Sequence, residues 1–174
     1  SGYTRGLPAM VPISLLYGTP EDSANQIAFL KSRGYPISYV EMGEEPDGQY
    51  MLPEDYGALY LQWATVLHKV DPGLKLGGPV FQGVNRDIQV WPDSRGRSSW
   101  LGRFIEYLKA HNRLQDLAFV SFEHYPFEPC KIQWDDLYEE PKLISNILKV
   151  WRDDGVPPKV PLLITELNIA WNTG

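Results

Sequence analysis

The sequence predicts an α/β protein built on a parallel sheet. Short apolar runs of strand character alternate from end to end with longer runs of helical periodicity, and that order requires crossover connections, hence parallel strands. Each strand-like run is also rich in Val, Ile, Leu or aromatic residues and bounded by Gly, Pro or Asp, the composition of a strand covered on both faces.

Five strands and four helices follow in order. Residues 11–17 (VPISLLY) form the first strand. Thr19-Pro20-Glu21-Asp22 then supplies an N-cap, a proline at the first helical position and two acids in the first turn, leading a helix from Ala24 through Arg33 that Gly34 stops. The second strand is 37–43 (ISYVEMG). Pro53-Glu54-Asp55 opens the longest helix, whose Tyr56, Leu59, Tyr60, Trp63, Val66, Leu67 and Val70 keep helical spacing up to Asp71-Pro72-Gly73. The third strand is 74–80 (LKLGGPV), and a third helix runs from Ser99 through Trp100, Phe104, Ile105 and Leu108 to Asn112. The fourth strand is 117–123 (LAFVSFE). The fourth helix runs from Pro141 through Ile144, Ile147, Leu148 and Trp151 to Asp154-Gly155, and the fifth strand is 160–166 (VPLLITE).

A length of 174 residues suits one ordinary domain, and 43% apolar residues suffice for a core. A net charge of −6 with no Lys/Arg-rich run is the wrong electrostatic footprint for binding phosphates, so nucleic acid is not an expected partner. No apolar run approaches the roughly 18 residues of a membrane span. The lone cysteine, Cys130, excludes an internal disulfide, and no Cys/His cluster has zinc spacing. The compartment stays open, a secreted or periplasmic parent included. The opening Ser1 to Gly6 lacks a signal-peptide pattern and suits a processed end. Residues 81–98 lack periodicity, and their Arg86, Asp87, Trp91, Asp93, Arg95 and Arg97 suggest a functional loop over a solvated one.

In a parallel α/β protein, ligands bind at the carboxyl ends of the strands. The second strand runs into Glu41-Met42-Gly43-Glu44-Glu45-Pro46-Asp47-Gly48, the fourth into Glu123-His124-Tyr125-Pro126, and the fifth into Thr165-Glu166-Leu167-Asn168. A carboxylate ending a buried strand is costly unless something pairs with it or uses it. An ion pair, a helix cap or a solvated strand end would explain one such Glu. Two on separate strands, each directly after an apolar run, point to a site. Alternation places Glu41, Gly43 and Glu45 on one face of the second strand and Leu162, Ile164 and Glu166 on one face of the fifth. If both faces look into a barrel, Glu45 and Glu166 converge at its open end.

The segment Glu41 to Gly48 resembles the Gly-Asn-Glu-Pro motif that ends the fourth strand in the large clan of retaining glycoside hydrolases with a (β/α)8 fold. Ile164-Thr165-Glu166-Leu167-Asn168 is similar to that clan's seventh-strand nucleophile segment, and His124-Tyr125-Pro126 lies where its sixth strand often carries His and Tyr. The resemblance is strongest to the β-xylosidase/α-L-iduronidase family, family 39, with arabinofuranosidase-like families beside it. It implies a partial TIM (β/α)8 barrel whose strands are the third to seventh, residues 1–174 forming a single incomplete catalytic domain. A whole barrel takes about 250 residues and roughly eight strands. The first, second and eighth strands are therefore missing, with the basic residue and the stacking Trp that the clan usually places there.

The activity implied is hydrolysis of glycosidic bonds in plant- or glycan-type oligosaccharides by double displacement, with Glu45 in the acid/base role and Glu166 as nucleophile. Such a pair works at roughly 5–5.5 Å, one carboxyl protonated to help the leaving oxygen depart and one ionised to attack the anomeric carbon. Glu44, His124, Tyr125, Asn168 and Trp171 are the expected substrate-binding residues. Tyr125, Trp171 and, more loosely, Trp91 could stack on sugar rings, and Tyr125 could donate its hydroxyl to Glu166. Trp63, Trp100 and Trp151 sit at helical spacing and are expected in the core. No cofactor and no metal is implied. The expected partners are a carbohydrate substrate and an association that covers the open barrel edges.

Glu44 departs from the motif, where the residue before the acid/base Glu is normally Asn. An amide both donates to and accepts from the sugar's 2-hydroxyl, whereas a carboxylate only accepts and adds a negative charge. The departure implies an unusual specificity or a carbohydrate-binding pseudoenzyme that keeps the cleft without the chemistry. The remaining alternative, a self-sufficient doubly wound nucleotide binder, needs a Gly-rich phosphate loop after the first strand. Tyr17-Gly18-Thr19-Pro20 has neither a G-x-G-x-x-G nor a Walker pattern.

Overall fold

A computed structural model describes residues 5–82, 86–128, 131 and 133–171. Cys130 and the first four residues, on which expectations were placed, lie outside the described residues. The elements are β1 (Ala9–Ile13), α1 (Pro20–Ser32), β2 (Ile37–Met42), α2 (Pro53–Val70), β3 (Lys75–Phe81), α3 (Trp100–Ala110), β4 (Phe119–His124), α4 (Glu140–Asp153) and β5 (Leu162–Leu167). The five strands pair in sequence order, each neighbour parallel, and curl into a half-barrel that alternates with the four helices.

Local signals set most of these boundaries. The Asp22 N–H donates to the Thr19 hydroxyl at 3.1 Å with Pro20 opening α1, and the Gly102 N–H donates to the Ser99 hydroxyl at 3.1 Å to cap α3. The first strand is the exception, because pairing with β2 covers only Ala9–Ile13. Leu15, read as strand, is apolar because it is buried in the core beyond the strand's end. Two short 3-10 turns, Leu114–Asp116 and Trp134–Glu139, interrupt segments that carry no clear periodicity.

The two faces of the sheet differ in chemistry. Val40, Met42, Leu76, Phe81, Val120 and Phe122 join the helices in one core, where Tyr56, Tyr60, Trp100, Phe104 and Trp151 pack edge-on or tilted against their neighbours. Trp63, Trp100 and Trp151 are all buried there, as their helical spacing predicts. The concave face carries Tyr39 edge-on to Phe119 at 5.9 Å, then Ser121, Glu41 and Glu123 toward the carboxyl ends. Gly77 makes room for that layer, since a Cβ on it would lie 2.4 Å from the Phe119 ring. Arg103, buried on α3, donates to both carboxylate oxygens of Glu54 at the start of α2, at 2.8 and 2.6 Å, and to the Trp91 carbonyl at 2.6 Å.

Gly77→Ala is therefore expected to destabilise the fold by about 1–3 kcal/mol, read as a lower urea midpoint with an unchanged slope. An unchanged midpoint would show that the Phe119 layer is not tightly packed.

Candidate active site

The acidic residues meet at the carboxyl ends of the strands, but not by simple alternation. β2 ends at Met42, and Gly43 (φ +91) and Glu45 (φ +46) adopt left-handed backbone conformations, so the pleat does not extend from Glu41 to Glu45. The Glu45 N–H instead donates to the Val80 carbonyl at 3.0 Å. Val80 (φ +61) is itself an extra residue, since pairing steps from Pro79 opposite Ser121 to Phe81 opposite Phe122.

A second extra residue corrects the expected face of β5. Pairing with β4 steps from Ile164 opposite Phe122 to Glu166 opposite Glu123, leaving Thr165 without a partner in the ladder. Leu162 and Ile164 follow the helix side, with Leu162 packed on the core, while Glu166 follows Glu123 onto the concave side. The slip reverses the parity that strict alternation gives.

Five glutamates gather as a result. Carboxylate oxygens of Glu44, Glu123 and Glu166 lie within 4.8 Å of one another, and Glu45 lines the same cleft as Glu123 and Glu166. The Tyr125 hydroxyl donates to Glu166 Oε1. Glu41 is buried beneath them beside Thr165 and Ser121, with one carboxylate oxygen lacking a hydrogen-bond partner. Such crowding is relieved by a counter-cation or by protonation of one of the carboxylates.

Burial, with the charges of Glu45 and Glu166 next, pushes Glu123 up to about 8. Glu41 is also raised, by burial first, against the lowering effect of the Thr165 and Ser121 hydroxyls. Tyr125 is held above the usual phenol range by burial and by its bond to Glu166.

Glu45, Glu123, Tyr125 and Glu166 border an open cleft of about 1120 Å³, whose walls also include Asp47, Gln82, Arg86 and Trp171, whereas Glu41 and Glu44 are not among its lining residues. Of the residues singled out from sequence, Glu44, Glu45, Tyr125 and Glu166 come together, and Trp171 stands exposed on the cleft wall. His124 borders the cleft with its Nε2 bonded to Glu140 of α4 and its Nδ1 buried without a partner. Asn168 is not among the cleft-lining residues, and its Oδ1 accepts from the next backbone N–H at 2.8 Å. Trp91 is exposed outside the lining set, although its neighbours Arg86, Asp87, Ile88 and Gln89 form part of the wall. That loop is pinned at Asp87, which the Ser99 hydroxyl reaches at 2.9 Å. Glu123 was not singled out from sequence for a role, yet it follows its apolar run as directly as Glu166 follows its own.

A curled parallel sheet of five strands alternating with four helices is a partial (β/α)8 barrel. No protein-family model matches the sequence, and no curated protein matches it. Solved structures share the fold, among them three glycoside hydrolases. CelM2, a bifunctional glucanase-xylanase from a metagenome library, aligns with a TM-score of 0.63 at 17% identity over 90% of this chain and 40% of its own. A family 44 xyloglucanase from Paenibacillus polymyxa aligns with a TM-score of 0.62 at 14% identity over 85% and 40%. A family 39 β-xylosidase from Caulobacter crescentus aligns with a TM-score of 0.57 at 16% identity over 90% and 32%. The chain thus spans well under half the length of each, and at these identities the likeness is one of fold. Among the described residues no helix is long and apolar enough to cross a membrane.

Because Glu123 is protonated more readily in the fold than in the unfolded chain, its contribution to stability is full below about pH 4.5 and is lost as pH rises through about 8. Urea midpoints measured across that window should fall more steeply for the wild type than for Glu123→Gln. Parallel curves would contradict the shift.

Proposed function

We propose that the chain is part of a larger glycoside hydrolase, contributing the third to seventh strands of its barrel and most of its active site. In this reading the parent cleaves glycosidic bonds of plant- or glycan-type oligosaccharides with retention of configuration. Glu166 attacks the anomeric carbon, and Glu45 delivers a proton to the departing oxygen and later takes one from water. The observation that carries this reading is that Glu45 and Glu166, supplied by the loop after β2 and by β5, line one cleft at the carboxyl ends of the strands together with Glu123. The glycoside hydrolases that share the fold support it.

The remaining roles follow from chemistry. Tyr125 orients Glu166 through its hydroxyl and so steers one carboxylate oxygen away from the attack. Trp171 offers an exposed ring for stacking against a sugar, and Glu44 accepts from a sugar hydroxyl. His124 and Asn168 remain candidate substrate contacts, His124 from the cleft wall and Asn168 from the strand's end.

Glu44 also supports a second reading, a carbohydrate-binding protein without hydrolysis. Its carboxylate sits against Glu123 and Glu166 and adds charge where a neutral amide would serve the reaction. Binding of oligosaccharide by the parent with no product on prolonged incubation would favour that reading.

For the enzyme, Glu166→Ala in the parent should abolish turnover of aryl glycosides. Glu45→Ala should lower kcat by about 10²–10⁴-fold with poor leaving groups and less with activated ones. NMR of the first-formed sugar should show retained anomeric configuration. Full activity in either variant, or an inverted product, would overturn the assignment.

A further inference from the structure

A second cavity, of about 420 Å³, shares a wall with the candidate cleft, and Asp87 and Gln89 line both. Behind that wall two aspartates meet one hydroxyl. Ser99 Oγ, the cap of α3, lies 2.9 Å from Asp87 Oδ1 and 3.1 Å from Oδ1 of Asp154, the residue directly after α4. The same oxygen accepts the Gly102 N–H at 3.1 Å. A serine hydroxyl has one hydrogen and two lone pairs. Gly102 occupies one lone pair, so each aspartate has a hydrogen of its own in the contact only if one accepts from Ser99 and the other is protonated and donates to it. With both ionised, two carboxylates compete for a single hydrogen.

Asp154 is the better placed of the two to keep the proton. Asp87 Oδ2 already accepts from the Gln89 side-chain amide at 2.6 Å, whereas Asp154 Oδ2 is buried without a hydrogen-bond partner. An orphaned oxygen is costlier on a carboxylate than on a neutral acid. The cations that line the smaller cavity are engaged with other acids, Arg97 with Asp93 at 2.7 Å and with Glu106, and Arg103 with Glu54 at 2.6 Å. Asp153, the preceding residue, adds negative charge and is bonded to Lys149, while the Lys109 ammonium of α3 stands beside Gly155. Burial first, then the charge of Asp87, pushes Asp154 up to about 6.

We propose that Asp154 is a proton-dependent latch: protonated, it donates to Ser99 Oγ, leaves the Ser99 hydrogen to Asp87, and so ties the cleft wall at Asp87 to the start of α3 and the end of α4. Loss of that proton sets Asp154 against Asp87 for one hydrogen and frees the Asp87 side chain toward the cleft it borders. The backbone of the segment stays tied, since the Val90 N–H donates to the Ser98 carbonyl and the Trp100 N–H to the Ile88 carbonyl, each at 2.8 Å. What acidity sets is therefore the charge that this wall presents, through the Asp87 carboxylate and the Gln89 amide bonded to it. Because Asp154 is protonated more readily in the fold than in the unfolded chain, the latch contributes in full below about pH 4 and is lost as pH rises through about 6. It stands on these contacts whether or not the cleft hydrolyses sugars.

The test is an NMR titration of ¹³C-labelled aspartate carboxyl groups in the full-length protein, assigned through the backbone so that no variant is needed for assignment. The Asp154 midpoint should lie near pH 6 and fall toward the ordinary aspartate range in Asp87→Asn, which removes the repelling charge. The Gln89 side-chain amide signals should shift with the same midpoint in the wild type. They should stay level across it in Asp154→Asn, whose amide donates to Ser99 Oγ at every pH. An Asp154 midpoint in the ordinary aspartate range, or one indifferent to Asp87→Asn, overturns the proposal. So does loss of the transition on adding Ca²⁺, which would mean that a cation, not a proton, joins the two acids. Gln89 signals that ignore the Asp154 transition overturn the link to the cleft wall. If Asp154→Asn does not fold, agreement or mismatch of the Asp154 and Gln89 midpoints in the wild type decides the same question.

Discussion

A parallel sheet sends alternate side chains to opposite faces, and the active-site candidate exists because the strands relax that rule at their carboxyl ends. Each departure has its own device. β3 and β5 carry one residue more than their partners, Val80 and Thr165, and the chain after β2 turns through left-handed backbone at Gly43 and Glu45. Strict alternation would leave Glu166 following Ile164 toward the helices. With the extra residue, Glu166 lies on the concave side opposite Glu123. The devices are linked, because the Glu45 N–H is held by the Val80 carbonyl. An irregularity in one strand thereby positions a side chain supplied by another.

Gathering glutamates in this way works against stability, and the fold offsets it elsewhere. Glu41 and Glu123 are both held more protonated than free carboxyl groups, which limits the repulsion, while the aromatic core on the helix side supplies burial with its polar atoms satisfied, Tyr56 donating to the Met42 carbonyl, Tyr60 to the Asp116 carbonyl and Trp100 to the Met51 carbonyl. The sheet thus separates its tasks by face. One face packs a largely apolar and aromatic layer against the helices, and the other carries a graded series from the Tyr39–Phe119 layer to the acids at the rim.

Much of this was legible in the sequence where the cause is local. Pro53 and Asp71-Pro72-Gly73 punctuate α2 so clearly that its bounds follow from composition and spacing, and Thr19-Pro20 does the same for the start of α1. The carboxyl-end positions of Glu45, Glu123 and Glu166 were equally visible, because each follows an apolar run. Features set by a distant partner were not. Leu15 looks like strand because it is apolar, and only packing against other elements places it beyond the end of β1. Nothing local marks Val80 or Thr165 as extra residues, since neither is glycine and both suit a strand by propensity. The hydrogen bond of His124 to Glu140 depends on how α4 docks, which periodicity alone does not give.

The clamp around Arg103 has a consequence for how such a protein can diversify. One guanidinium joins α3 to the start of α2 and, through the Trp91 carbonyl, to the segment that follows the cleft wall at residues 86–89. The contact to that segment is made to main chain, so it is indifferent to the side chain at position 91. Inheritance can therefore vary the side chains along this wall, and with them the shape and polarity offered to a ligand, while the anchor that returns the chain to α3 stays constant. Variation and scaffold are uncoupled at a single backbone oxygen.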